Sequence, residues 1–427
     1  MLSITTSFPE GWQRVTLRSV CEPTRIWNPT REPRQEFCYV DVSAVSRENL
    51  SIQSPQRVQA AQTPSRARKI IRTGDAIFAT VRPTLRRIAF VEEQFDNQIA
   101  STAFCIVRAD RGQAAPRFLY YALQTDTFNE AVAKHQAGAS YPAVSDKHVL
   151  EQSILLPPKP EQEKIAAILW KVQRAIEVEE KLVATARELK QSAMRQLFTH
   201  GLRGESHHDT ELGQLPKSWN AVPLGSFGRI GNGSTPLKAN PGYWTNGAIP
   251  WLTSAKVYDI TITKADQFVT PAAVAECHLP RVKPGSVLIA ITGQGKTLGN
   301  AAVTAIETCV SQHIAYLAFD DDSANPHFVR LFLESRYAEL RSVALGGGST
   351  KGALTCGFLK TFLVPCPKRN EQDELASALM TIEAKISLHE RKRTALSDLF
   401  QTLLHQLMTA QIRVDKLDID TSEVQAT

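Results

Sequence analysis

The sequence predicts an α+β protein with two α/β domains in pseudo-twofold repeat, separated by two long antiparallel helices that form a coiled coil. Three observations lead to this prediction. The second half of the chain repeats the first, so that residues 154–169 align with residues 364–379 at an offset of 210. Strand-like runs, such as residues 76–81 and 286–291, fill the first part of each repeat. A stripe of apolar residues with helical spacing ends each repeat.

The duplication defines the predicted domains. Five of the sixteen positions aligned between residues 154–169 and 364–379 are identical, and further matches occur in the same order along both halves. We therefore expect one α/β domain over residues 1–156 and a second over residues 205–364. Helical spacers should occupy residues 157–204 and 365–412, and residues 413–427 should form a disordered acidic tail.

Each spacer carries apolar residues at steps of three and four, or near multiples of them. This spacing places them on one side of a helix. A single long helix would leave such a stripe in water, so the two helices are expected to pack together as a coiled coil. Two ordinary helical subdomains are the alternative interpretation.

Composition excludes several classes of protein. The chain has 427 residues, 43% of them hydrophobic, which is enough for real cores and excludes a disordered or fibrous protein. The formal net charge of +6 permits a nucleic-acid partner without requiring one. Seven cysteines without CxxC spacing indicate reduced thiols and no metal site. The N-terminus resembles no signal peptide, and the apolar runs are shorter than a membrane span, so we expect a cytoplasmic protein without membrane association.

Two segments resemble catalytic motifs, and each has a simpler interpretation. Residues 290–297 end in Gly-Lys-Thr after a strand-like run, as a phosphate-binding loop does, but the residues that follow favour a turn and a strand instead of a helix. Residues 240–243, Asn-Pro-Gly-Tyr, approach an amino-methyltransferase motif and are more simply a turn. With no further catalytic set visible, the chain is expected to be non-catalytic.

Basic residues are concentrated in the first α/β domain, where they flank strand-like runs. A solvated surface is the alternative, but the cluster as a whole predicts contact with DNA. Its members are Arg57, Arg66, Arg68, Lys69, Arg72, Arg82, Arg86 and Arg87. In the second domain, predicted DNA contacts come from a mixed set of basic, aromatic and amide residues, namely Lys238, Tyr243, Trp244, Lys256, Gln294, Lys296, Asn300 and Lys351.

These features together resemble the specificity subunits of type I restriction–modification enzymes, over nearly all of residues 9–412. The resemblance is carried by a Pro-x-x-Trp motif at Pro9–Trp12 and Pro216–Trp219 and by the Pro-x-x-x-Glu-Gln start of each spacer, at Pro157–Gln162 and Pro367–Gln372. A Thr-Gly…Leu-Gly-Asn loop, from Thr292 to Asn300, adds to it. Each motif is weak alone, but their order and duplication are specific.

The resemblance implies two target-recognition domains, each reading one half of a split double-stranded DNA sequence and so directing adenine methylation and restriction by partner subunits. Two modification subunits would dock along the spacer helices, and restriction or translocase subunits could join them. The partners would hold S-adenosylmethionine, ATP and Mg²⁺, with no cofactor in this chain. A coiled-coil scaffold without DNA binding and a P-loop-type nucleotide hydrolase are the alternatives. The spacer residues assigned to subunit binding are Glu161, Gln162, Ile165, Ile176, Leu189, Leu197, Glu371, Gln372, Leu375, Ile386, Leu399 and Leu407.

Overall fold

The computed structural model describes residues 9–28, 36–293, 295–322, 324–346 and 352–425 and divides into two compact units. Unit 1 contains residues 1–180 and 391–427, and unit 2 contains residues 181–390. The division falls within the two spacers and not at their predicted ends. Each spacer helix therefore contributes one half to unit 1 and the other half to unit 2.

Unit 1 begins with a mixed α/β region whose strands form a four-stranded sheet in the order β3-β2-β7-β4, a three-stranded sheet in the order β6-β5-β8, and the antiparallel pair β1-β9. Strands β5 and β8 are buried along their whole length, as their continuous apolar runs predict. The elements are β1 (Gln13–Thr16), β2 (Glu36–Val40), β3 (Gln56–Gln59), β4 (Ala67–Ile71), β5 (Ala76–Ala79), β6 (Ile88–Phe90), β7 (Gln98–Ser101), β8 (Phe104–Val107), α1 (Pro116–Ala122), α2 (Asp126–Ala133), α3 (Asp146–Leu150) and β9 (Ser153–Leu156).

The first spacer is one continuous helix, α4 (Lys159–His200). Pro160 lies in its first turn, where the missing N–H costs no helical hydrogen bond. Gly201 follows its end with φ of 63°, the left-handed conformation that commonly terminates a helix.

Unit 2 repeats the same plan. Its strands form a five-stranded sheet in the order β13-β20-β17-β18-β15, a three-stranded sheet in the order β16-β14-β19, and the pairs β10-β11 and β12-β21. The pair β12-β21 of unit 2 corresponds to β1-β9 of unit 1, because each joins the start of a domain to the strand before the next long helix. The elements are β10 (His207–Thr210), β11 (Gly213–Pro216), β12 (Asn220–Pro223), β13 (Gly228–Asn232), β14 (Ile249–Leu252), β15 (Thr261–Ile262), β16 (Gln267–Val269), α5 (Pro271–Glu276), β17 (Val287–Ala290), β18 (Ala301–Thr304), β19 (Cys309–Val310), β20 (Ile314–Phe319), α6 (Pro326–Ser335), α7 (Tyr337–Gly346), α8 (Cys356–Thr361) and β21 (Leu363–Cys366).

The second spacer is the continuous helix α9 (Arg369–Met408), and a short helix, α10 (Ser422–Gln425), follows it. Within each unit, α4 and α9 run antiparallel, as predicted. In unit 1 Glu179 pairs with Lys392 at 3.9 Å, whereas Glu161, earlier in α4, pairs at 2.7 Å with Arg413, which follows α9. In unit 2 Lys190 pairs with Glu383 at 2.7 Å, whereas Arg203, which follows α4, pairs at 2.7 Å with Glu374, earlier in α9. None of the helices in the described ranges is long and apolar enough to cross a membrane.

A cluster of four charged residues, of which the two cations are buried, joins α4, α6 and α9 in unit 2. Lys190 Nζ contacts Glu334 at 2.5 Å and Glu383 at 2.7 Å, and Arg330 contacts the same two carboxylates at 3.0 and 2.7 Å. Arg330 is 1% exposed. Each cation thus bridges two acids, so the charges compensate one another away from water.

In unit 1 the positions 210 residues away hold different residues. Phe400 is equivalent to Lys190, Tyr120 to Arg330, Gln124 to Glu334 and Gln173 to Glu383. There the neighbouring Tyr121 hydroxyl donates to Gln173 Oε1 at 3.0 Å, and its ring meets Phe400 edge-on at 6.0 Å. The two domains are therefore joined to their helices by different chemistry at equivalent positions.

The prediction of a disordered tail after residue 412 is wrong for the residues that the structure describes, 413–425. Val414 and Val424 are buried in the core of unit 1. Two lysines of α4 donate to carbonyl groups of the tail, Lys164 to Asp415 at 2.7 Å and Lys171 to Asp420 at 3.4 Å. The acidic composition suggested disorder, but two valines provide enough apolar surface to anchor the segment.

Candidate DNA interface and spacer-helix residues

The basic cluster of unit 1 is divided among several elements. Arg57 lies on β3, and Arg66 and Arg72 flank β4; all three are exposed. Strands β3 and β4 are the opposite edges of the four-stranded sheet, so Arg57 lies apart from the other two. Arg82 and Arg86 lie beside the other sheet, in the exposed turn between β5 and β6. The structure does not gather the cluster on one face.

Lys69 is unsuited to the predicted DNA contact. Its side chain points into unit 1, where Nζ forms an ion pair with Asp146 and donates to the Phe104 carbonyl at 2.6 Å. The residue is 8% exposed. The alternating pattern of β4 places Lys69 on the buried side of the strand, and the ion pair compensates its charge there.

Arg87 and Arg68 are also bound to backbone groups of their own unit. The Arg87 guanidinium donates to the carbonyl groups of Val42 and Val45, and it ties that segment to β6. Arg68 Nη1 donates to the Ala67 carbonyl at 3.0 Å. We therefore expect Arg87 to contribute to stability and not to contact phosphate.

The turn between β5 and β6 presents the remaining two arginines in different ways. Arg86 forms an ion pair of 2.6 Å with Asp126 of α2. Arg82 lies over the ring of Tyr141, with its guanidinium carbon 4.7 Å from the ring centroid. Tyr141 was not among the predicted site residues, since nothing in the sequence pattern distinguishes it from other loop tyrosines.

In unit 2 the structure brings Lys238, Tyr243 and Trp244 together. Lys238 Nζ lies 3.4 Å from the centroid of the Trp244 ring and donates to Gln267 at 2.7 Å. Partial burial lowers the pKa of Lys238. The Tyr243 hydroxyl donates to Glu276 at 2.7 Å, and this hydrogen bond raises the pKa of Tyr243. A cation over an aromatic face in a half-exposed turn is suited to a nucleic-acid surface.

The β17–β18 loop is not a phosphate-binding loop. Residues 297–300 form a turn that leads directly into strand β18, where a phosphate-binding loop would need the first turn of a helix. The Asn300 amide donates to the carbonyls of Lys296 and Thr297 at 2.7 and 3.1 Å, so this residue stabilises the turn. Lys296 itself is exposed.

Other predicted contacts in unit 2 have different outcomes. Lys256 forms ion pairs with Asp259 at 2.6 Å and with Asp266 at 3.3 Å, and these compensate its charge before any DNA arrives. Asn240 accepts a hydrogen bond from the Gly242 N–H at 3.0 Å, so residues 240–243 are a turn, as the simpler interpretation held. The predicted residues Gln294 and Lys351 lie outside the described part of the chain.

The Glu-Gln pair that starts each spacer helix is internal. Glu161 Oε2 accepts from the Trp12 indole at 3.2 Å, and Glu371 Oε2 accepts from the Trp219 indole at the same distance. The glutamines likewise receive a backbone N–H from the preceding α/β region at 2.8 Å, Gln162 from Ala115 and Gln372 from Asn325. These four predicted subunit-binding residues instead hold each helix to its own domain.

A residue that the sequence analysis missed completes the site around Glu161. Arg413 donates to both carboxylate oxygens, at 2.7 and 2.9 Å, and the hydrogen bonds raise the pKa of Arg413. In unit 2 the equivalent residue, Arg203, pairs with Glu374 at 2.7 Å, and both side chains are about half exposed. The offset of 210 pairs Arg203 with Arg413, and this was the signal available in the sequence.

The predicted apolar spacer residues differ in exposure. Ile165, Leu375 and Leu407 are buried in the cores of the units, and Ile176, Leu197 and Ile386 are half-buried. Leu189 is 56% exposed and Leu399 is 44% exposed. The helices thus use part of the stripe to build the units and leave part of it on the surface.

Comparison with known proteins identifies the family. The family described as type I restriction modification DNA specificity domain matches residues 9–186 and again residues 216–397. A type I restriction enzyme specificity subunit of Methanocaldococcus jannaschii, MjaVIII, is 26% identical over 318 residues, which cover 70% of this chain and 71% of that subunit. Neither the scaffold nor the nucleotide-hydrolase alternative is supported by these matches.

Solved structures show the same fold. A chain from a study of complex assembly and conformational transition of the type I R-M system has a TM-score of 0.58 and 29% identity, covering 95% of this chain and 100% of that one. The S subunit of a type I restriction–modification system from M. genitalium has a TM-score of 0.64 at 16% identity, with 95% and 98% covered. Since the family matches well over half of the residues, this chain belongs to the type I restriction–modification DNA specificity family.

Proposed function

We propose that this chain binds a bipartite double-stranded DNA target, with one half-site for each unit, and directs adenine methylation and restriction by partner subunits. The observation that carries the proposal is the duplication, because the specificity-domain family matches the chain twice. One recognition domain reads only a few base pairs, whereas two domains on one chain multiply their selectivity, with each mismatch costing about 1–3 kcal/mol.

The partners in this proposal are two modification subunits, which dock along the spacer helices, together with restriction or translocase subunits. They bind S-adenosylmethionine, ATP and Mg²⁺, and this chain is the non-catalytic targeting subunit. Apolar side chains left exposed on the helices of unit 2 support the docking, since Leu182, Leu189 and Leu388 are 41%, 56% and 44% exposed.

A selection experiment tests the proposal directly. The chain, assembled with its modification subunits, would be incubated with a library of randomised duplexes, and the retained DNA would be sequenced. We expect two short defined half-sites with an undefined gap of constant length between them. Retention of a single contiguous site, or of DNA without any common sequence, would contradict the proposal.

We predict that the purified chain hydrolyses no ATP and that Lys296→Ala changes nothing in this respect. The reason is that the loop bearing Lys296 ends in a strand and offers no helix N-terminus to a phosphate. A phosphate-release assay with wild type, Lys296→Ala and the exposed control Lys283→Ala measures this. Hydrolysis lost only in Lys296→Ala would restore the nucleotide-hydrolase interpretation.

We also predict that the length of the spacer helices determines the length of the unread gap. Four residues inserted after Ala186 and after Leu396, which are equivalent in the repeat, keep the apolar stripes nearly in phase and lengthen each helix by roughly 6 Å. At roughly 3.4 Å per base pair, the gap should grow by one or two base pairs with both half-sites unchanged. Methylation mapping in cells reads both quantities, and an active variant with the original gap would refute the prediction.

A further inference from the structure

Two exposed side chains of unit 1, Arg82 and Tyr141, form a cation–π pair on adjoining loops. The guanidinium carbon of Arg82 lies 4.7 Å from the centroid of the Tyr141 ring, and Nη2 lies 3.4 Å from the Ser140 carbonyl oxygen. Tyr141 is 71% exposed, which is unusual for so large an aromatic side chain. A cation over an aromatic face is held in place by the quadrupole of the ring.

The backbone fixes the two loops to each other. The Arg82 N–H donates to the Pro142 carbonyl at 2.7 Å, and the Val144 N–H donates to the Thr80 carbonyl at 2.9 Å. Val81 and Ala143 form an antiparallel bridge between these two hydrogen bonds. These contacts hold the two loops that carry the cation–π pair together, which reduces the entropy lost when a ligand binds.

Arg82 has an unusual backbone conformation, which it shares with Arg86 at the other end of the same turn. Its φ of 49° lies in the left-handed region, which non-glycine residues adopt only at a cost. In unit 2 the equivalent bridge joins Thr292 and Ala353, and the residue that follows Thr292 is Gly293, with φ of 129°. Unit 1 thus keeps an arginine where its duplicate has the residue that adopts this conformation most easily.

Three of the other residues in the predicted basic cluster are already engaged. Arg86 pairs with Asp126, Arg87 binds two backbone carbonyls, and Lys69 is buried against Asp146. The guanidinium of Arg82 lies over the Tyr141 ring and donates from Nη2 to the Ser140 carbonyl at 3.4 Å, and its other N–H donors have no hydrogen bond to the described part of the chain. A planar fork can pair bidentately with the O6 and N7 acceptors of guanine, the commonest specific contact in the major groove, and also with a phosphate; the two are distinguished by base preference and by the salt dependence of binding.

We propose that Arg82 reads a guanine in the half-site bound by unit 1 and that Tyr141 is the positioning residue that orients its guanidinium. This inference rests on the proposed function and adds to it the residue that selects one base pair. Arg82→Lys should keep the charge and weaken the base preference, because a lysine ammonium can still contact guanine O6 or N7 but without the fixed geometry of the planar fork.

Binding selection with the full chain in its complex tests the inference. Arg82→Lys should lose about 10- to 100-fold of the preference for one G·C pair in one half-site, while the salt dependence of binding stays the same. Arg86→Lys is the matched control, since it makes the same change in the same turn and should alter no base preference. Tyr141→Ala should weaken the preference at that same base pair, whereas Tyr141→Phe, which keeps the ring, should retain it.

The outcomes separate this inference from the proposed function. An Arg82→Lys variant with every base preference intact would overturn the inference alone. An Arg82→Ala variant could instead lose affinity equally for all sequences, with unchanged base preferences and a slope of log affinity against log salt concentration that is smaller by about 0.9. This result would also overturn the inference, because it is the signature of a phosphate contact. A wild-type complex without any sequence preference would overturn the proposed function and this inference with it. Thermal unfolding of each variant verifies that unit 1 is intact.

Discussion

Lys190→Met should lower the free energy of unfolding of unit 2 by about 3 kcal/mol or more, because it leaves Glu334 and Glu383 facing each other with only Arg330 to compensate them. The side chains of Lys190 and Glu383 are 11% and 10% exposed, so water can replace little of their interaction, whereas Glu334 is 36% exposed and partly solvated. Hydrogen exchange measured by mass spectrometry along the full chain gives the change and shows that unit 2 is the part affected.

The duplicate supplies a control for this substitution. The variant Lys190→Phe, Arg330→Tyr, Glu334→Gln and Glu383→Gln installs the residues of the equivalent positions in unit 1, and we expect it to recover most of the lost stability. Removing all four charges leaves no uncompensated group, and such replacements are often neutral or stabilising. A Lys190→Met variant as stable as wild type would show that the cluster contributes nothing to unit 2.

Arg413→Ala should destabilise unit 1 by about 3 kcal/mol, because Glu161 is 2% exposed and would lose both charged hydrogen bonds. The remaining hydrogen bonds to Glu161, from Trp12 Nε1 at 3.2 Å and from the Val414 N–H at 3.4 Å, are long and come from neutral donors. Denaturant unfolding of the full chain, with hydrogen exchange to assign the transition to unit 1, measures the loss.

Arg203→Ala is the matched control at the equivalent position of unit 2. Its partner Glu374 is about half exposed, so this pair should contribute no more than about 1 kcal/mol. The double variant Arg413→Ala, Glu161→Gln should be more stable than Arg413→Ala alone, since it removes the uncompensated charge. Equal effects of Arg413→Ala and Arg203→Ala would contradict this account of the site around Glu161.

The architecture could be predicted because its signals are local or repeated. Apolar residues at helical spacing determined the two spacers, and the offset of 210 related the two domains without any knowledge of distant contacts. The structure places α4 and α9 within the predicted ranges. Composition was a weaker guide for the segment after residue 412, because two buried valines, Val414 and Val424, anchor this acidic segment to unit 1.

The candidate site was harder to predict because the role of a cation depends on residues far away in the sequence. Lys69 is engaged by Asp146, and Arg87 by carbonyls of Val42 and Val45. A count of basic residues cannot distinguish these from an exposed arginine such as Arg57. Glu161 and Gln162 show the same limit, since their motif identified the family correctly while their side chains turn inward.

The charge cluster of unit 2 limits which segments can replace the recognition domain of that unit. A recombination event that replaces residues 205–364 imports new residues at positions 330 and 334 but keeps Lys190 and Glu383 of the recipient. Because Lys190 and Glu383 compensate each other at 2.7 Å, a donor segment fits when its charges at those two positions sum to zero. A segment derived from unit 1, with Tyr120 and Gln124 there, meets this condition, whereas a segment that brings a single charge leaves one group of the cluster uncompensated. Recognition domains of this chain are therefore exchangeable within a compatible set and not freely.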